Sequence, residues 1–164
     1  MAVTYTPIAT NTLTSATGSV TFSSISGTYT DLYIICSVFA AAGGTAIYVQ
    51  YNGDTAINYS HTIIYGNGSS AFSERQSNNK YIRVGGRYGL STTNSTICRI
   101  NVMNYANTTT NKTLISRGDL ASSELESTVG LWRSTAAITS VSIVADGGTF
   151  ATGSTFTIYG IKAA

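Results

Sequence analysis

Residues 32–42, LYIICSVFAAA, decide the fold. Only Ser37 interrupts their apolar character. A helix needs about 20 apolar residues to cross a bilayer, so this run is too short to span one. Tyr33, Ile34, Ile35, Val38 and Phe39 are β-branched or aromatic, which predicts a central strand buried on both faces. Residues 28–31 lead into it, and Gly43-Gly44-Thr45 ends it.

Working outward, the same short apolar segments recur between turn signals. Residues 20–25, 46–51, 59–65, 80–84, 95–103, 112–117, 129–132, 139–144 and 155–162 read as further strands. Asn52-Gly53-Asp54, Gly66-Asn67-Gly68 and Asp146-Gly147-Gly148 punctuate them. In residues 95–103, period two sends Cys98, Ile100 and Val102 to the core and Ile97, Arg99, Asn101 and Met103 the other way. The same pattern in other strands predicts one interior holding Ile34, Cys36, Ile100, Val102, Val141, Ile143, Phe156 and Ile158. Residues 4–14 alternate loosely and carry Pro7, the only proline, so they predict an edge strand or an arm. Residues 72–79 are polar and predict a loop, and residues 120–127 alone have helical propensity. The whole predicts one all-β domain over residues 1–164, a β-sandwich or jelly roll of about ten antiparallel strands.

Composition narrows the function. The chain has 164 residues, enough for a sizeable core. Charged residues make up 10%, against about 25% in a typical soluble domain. Ser and Thr fill more than a quarter of the positions, so the polar surface is hydroxyl-rich rather than ionic. A net charge of +2 with no Lys/Arg cluster gives no footprint for nucleic acid. A thinly charged surface suits a chain held in an assembly. The opening residues Met1 to Tyr5 have neither the basic nor the apolar region of a signal peptide, so synthesis in a cytosol is expected. Cys36 and Cys98, both in predicted strands, are then expected to be buried free thiols.

Little in the sequence marks chemistry. His61, the only histidine, is the sole candidate for a triad base. No nucleophile motif accompanies it, so it reads as a surface or half-buried strand residue. Seven carboxylates are scattered, and no spacing selects a pair for glycoside hydrolysis. Asn52-Gly53-Asp54 and Asp146-Gly147-Gly148 offer oxygens that calcium accepts, but turn formation accounts for both. Cys36 and Cys98 lack the local partners of a zinc site. No catalytic, cofactor-binding or metal-binding residue is therefore assigned.

Several segments carry a resemblance. They are residues 22–32 (FSSISGTYTDL), Asn52-Gly53-Asp54, residues 101–112 (NVMNYANTTTNK), residues 129–140 (VGLWRSTAAITS) and residues 152–163 (TGSTFTIYGIKA). Together they resemble a family of tailed-bacteriophage virion proteins, over nearly the whole chain from Val20 to Lys162. The resemblance implies a β-rich structural protein of the particle with no enzymatic activity. A compact chain without a fibre extension resembles a capsid decoration, or cement, protein. That implies a homotrimer on the capsid surface, bridging subunits of the major capsid protein, with neither nucleic acid nor membrane as partner. A tail or fibre-tip component, bound to tail proteins or a host surface glycan, is the alternative. For self-association and capsid docking, the mildly apolar N-terminal segment supplies the candidates: Val3, Tyr5, Ile8 and Leu13.

Overall fold

The computed structural model describes residues 4–42 and 46–162. Val3 and the predicted strand end at Gly43-Gly44-Thr45 lie outside them. Twelve strands form two antiparallel sheets. They are β1 (Tyr5–Thr12), β2 (Ser19–Phe22), β3 (Asp31–Val38), β4 (Ala46–Tyr51), β5 (Tyr59–Gly66), β6 (Ala71–Asn79), β7 (Ile82–Gly85), β8 (Thr96–Met103), β9 (Lys112–Leu120), β10 (Glu124–Trp132), β11 (Val141–Asp146) and β12 (Thr155–Ile161). The large sheet runs β1-β12-β3-β8-β9-β10-β5-β6, and the small sheet runs β2-β11-β4-β7. The fold is an all-β sandwich of unequal sheets. Its division into eight and four strands lends no specific support to the finer jelly-roll form.

The core lies between the sheets, where inward positions of both meet. All eight residues expected there, from Ile34 to Ile158, are fully buried. Cys36 and Cys98 are free, buried and directly opposite each other on β3 and β8. Burial in apolar surroundings pushes the Cys36 thiol up to about 12 and raises that of Cys98. The Cys98 thiol donates to the Val84 carbonyl at 2.9 Å.

Strand β7 of the small sheet presses directly onto β9 and β10, and glycines make this possible. A Cβ at Gly118 would stand 3.0 Å from the Gly85 Cα, and one at Gly130 would stand 2.5 Å from Ile82 Cγ2. The Asn52-Gly53 turn has both residues at positive φ, 52° and 65°. Asn52 Oδ1 accepts the N–H groups of Thr139 and Ser140, at 2.8 and 3.1 Å. Asp54 Oδ2 accepts from Asn58 Nδ2 at 3.0 Å and Trp132 Nε1 at 2.7 Å, while its Oδ1 accepts the Ala56 N–H at 2.8 Å. Burial opposes the charge of Asp54, but these three donors hold its carboxyl below its usual value. Its oxygens are thus engaged in fastening the turn to the core tryptophan.

Three expectations are corrected. Strand β3 is buried on one face only: Leu32, Ile34, Cys36 and Val38 point inward, while Tyr33 and Ile35 are half-buried on a face that no second layer covers. Residues 72–79, expected as a loop, belong to edge strand β6 (Ala71–Asn79), whose polar side chains suit a strand with one unpaired edge. Residues 120–127 form no helix. They are the end of β9, a three-residue turn and the start of β10. The twelve strands among the described residues agree with the all-β reading of about ten antiparallel strands.

Candidate interaction face

The pairing registers lay out the uncovered face of the large sheet row by row. One row runs Ile64, Ser127, Arg117, Arg99, Ile35 across β5, β10, β9, β8 and β3. The row on one side runs Thr62, Val129, Ile115, Asn101, Tyr33, and the row on the other runs Gly66, Leu125, Asp119, Ile97, Ser37. Four aliphatic side chains on these rows are more than half exposed: Ile64 at 62%, Val129 at 53%, Ile115 at 52% and Leu125 at 51%. Singly exposed apolar residues are ordinary, but four on adjacent rows of one face form a patch. Beside them, Ile64, Ser73, Arg117, Leu125 and Ser127 line a shallow trough of about 750 Å³.

The charges on this face are mostly positive. Arg75, opposite Thr62, points outward with Arg99 and Arg117. Asp119 is the one carboxylate on the outward positions of β5, β6, β8, β9 and β10, and it pairs with Arg117 at 3.3 Å.

The N-terminal candidates divide. Tyr5 is 52% exposed and sets its ring edge-on to Tyr33 and Tyr159, at centroid distances of 6.0 and 6.5 Å. Ile8 packs against the chain's own core, and Leu13 is buried in it. Strand β1 pairs with β12 along its whole length, so residues 5–12 are an edge strand of their own sheet. Pro7 and a register shift between Pro7 and Ala9 blunt that edge against further strand addition.

A second cluster lies inside, where the inner faces of β5, β6 and β10 meet β7 and the loop after it. His61, expected at the surface or half-buried, is buried, and neither ring nitrogen has a hydrogen-bond partner among the described residues. Burial and the Arg83 charge push its pKa down to about 4, so its ring is neutral at pH 7. Glu126 is fully buried. Its burial and the neighbouring Glu124 push its pKa up to about 7. Its Oε2 accepts the Arg87 N–H at 3.0 Å, and Glu124 Oε2 accepts the Tyr88 N–H at 2.8 Å. Glu74 pairs with Arg87 at 2.9 Å and with Arg83 at 3.9 Å. Three carboxyls thus face two guanidiniums, and the raised pKa of Glu126 is how a buried site absorbs the excess acid. The arrangement fastens the loop 86–89 to β10 through two backbone N–H groups.

The sequence located the inward residues but not the face opposite. Alternation placed Arg99 outward. Its neighbour Arg117 follows only from the β8–β9 register, which no local signal states. No protein-family model and no curated protein matches this sequence.

Proposed function

We propose that this chain is a non-enzymatic structural protein of a tailed-bacteriophage virion, specifically a capsid decoration protein that docks on the particle as a homotrimer and bridges subunits of the major capsid protein. The observation that carries the reading is the uncovered outer face of the large sheet, with its adjacent exposed Ile64, Ile115, Leu125 and Val129. A patch of this kind on a thinly charged chain is what a protein held in an assembly presents. The resemblance of residues 20–162 to phage virion proteins supplies the particle.

One observation favours a second reading, a tail or fibre-tip component that binds a host glycan. Phe72 and Tyr88 are 44% and 47% exposed around Tyr65, where aromatic rings offer stacking surfaces for sugars. Localisation of the chain in an electron-microscopy map of the particle, with its copy number, separates the two. Many copies spread over the head, with a trimer mass by light scattering, support decoration. A few copies at the tail sink it and promote the tail reading.

A further inference from the structure

We propose that the outer face of β5, β10, β9 and β8 docks a different polypeptide, one that brings a carboxylate between Arg99 and Arg117, and not a second copy of this chain. The inference rests on the reading of this face as a docking surface and names the chemistry of its partner.

Arg99 and Arg117 stand directly opposite each other on neighbouring strands. Like charges in this position destabilise a sheet. Asp119 partly offsets Arg117, but Arg99 has no hydrogen bond or ion pair among the described residues. Two guanidiniums side by side form a socket for an anion, since each offers a planar fork that matches a carboxylate. The aliphatic flanks decide which anion. Ile64 closes the same row, and Val129 with Ile115 and Leu125 occupy the rows on either side. A nucleic acid is held by tracks of cations on phosphates. An acidic side chain set among apolar ones fits this face better. A second copy would set three arginines and one carboxylate against the same set, cation facing cation, which opposes association.

Arg99→Glu separates docking from folding. It turns the opposed pair into a cross-strand ion pair with Arg117, so the variant should melt at or above the wild-type temperature. Its binding to purified particles assembled without this chain should fall by at least about tenfold. Lys80→Glu makes the same change in net charge at an exposed position away from this face and should bind as wild type. Equal binding by Arg99→Glu and wild type overturns the inference. A second probe needs no particle: a synthetic peptide alternating isoleucine and glutamate, with an isoleucine–lysine peptide as its match. The side-chain Nε–H signals of Arg99 and Arg117 should shift with the acidic peptide alone. Shifts with both peptides or with neither overturn the inference. Failure of wild type to bind particles, with the acidic peptide still selective, overturns the virion reading and leaves the face standing. Displacement of the peptide by a DNA duplex would assign the socket to phosphate instead and overturn the choice of partner. Self-association in light scattering that Arg99→Glu alters would assign the face to a second copy and overturn it likewise.

Discussion

Replacing Glu126 by Gln should stabilise the protein above neutral pH and leave it nearly unchanged in mild acid. Glu126 is fully buried on β10, acted on by Glu124 on its own strand, Thr128 two residues on, Arg83 on β7 and the Arg87 N–H of the loop after it, while Glu74 on β6 engages the same two arginines and His61 on β5 feels Arg83. Its pKa is raised from the ordinary carboxyl value of 4.5 to about 7 in the folded protein. Between those values the folded state binds a proton that the unfolded state has released. Stability therefore falls as pH rises from about 4.5 to 7 and stays low above that. A displacement of this size corresponds to about 3 kcal/mol. Gln keeps an oxygen for the Arg87 N–H and carries no charge, so it does not suffer this loss. In a chain of this length, about 3 kcal/mol at pH 8 should raise the melting temperature by about 6 to 12 °C. At pH 5 the two proteins should melt within a few degrees of each other. His61 works in the opposite sense. Its folded pKa of about 4 lies below 6.5, so stability falls as pH drops through that window. The two slopes oppose each other in the wild type between about 4.5 and 6.5, and Glu126→Gln should expose the histidine slope. Thermal melts of both proteins from pH 4 to 8 provide the test. A variant no more stabilised at pH 8 than at pH 5 would refute the assignment of Glu126 as a buried, raised acid.

Three further outcomes follow from the packing. Ile143→Ala, in the middle of β11 and fully buried, should cost about 2 to 5 kcal/mol in a denaturant titration; an unchanged midpoint would mean the side chain does not fill the core. Cys36 and Cys98 should both be labelled by an alkylating reagent without reductant once the chain is unfolded, and neither while it is folded; mass spectrometry that finds the pair protected after unfolding would show a disulfide instead. Removal of residues 2–14 should lower the melting temperature, because it strips β1 from β12 and takes Leu13 out of the core; an intact melting curve would assign this segment to a neighbour rather than to its own sheet.

How far the fold is legible in the sequence depends on what each strand touches. Strands with one dry and one open face announce themselves by alternation. Cys98, Ile100 and Val102 on β8 and Val141 and Ile143 on β11 lie where period two puts them. Edge strand β6 is illegible because both its faces are largely polar, and the composition of residues 73–79 (SERQSNN) reads as loop until a neighbour supplies hydrogen bonds. The segment around Leu120 misleads for another reason. Glu124 and Glu126 favour helix locally, yet both point inward to hold the loop 86–89, and tertiary contacts override the propensity. The buried cluster stays hidden because its members come from four strands and a loop. Strand β3 is the most telling case. Its continuous apolar run is the signature of a strand covered on both sides, and the chain covers only one.

The missing cover has an energetic side that bears on how this chain would dock. Full burial of a Val, Leu or Ile side chain is worth about 1.5 to 3 kcal/mol. Ile64, Ile115, Leu125 and Val129 have about half of that still to gain, so together they offer about 4 kcal/mol. Association itself costs about 4 to 15 kcal/mol in lost freedom of motion. The apolar patch of one chain therefore offsets little more than the lower end of that cost. The remainder must come from the charge contact at Arg99 and Arg117, or from several chains docking as one unit, where linkage makes the second and third contacts nearly intramolecular. Single chains should then bind particles weakly and lose that binding in high salt, while trimers bind tightly by avidity. The measurement is particle binding by monomeric and trimeric fractions at low and high ionic strength. A monomer that docks with nanomolar affinity in about 1 M salt, where charges more than about 3 Å apart are screened, would refute this division of the binding energy and place the docking surface elsewhere on the chain.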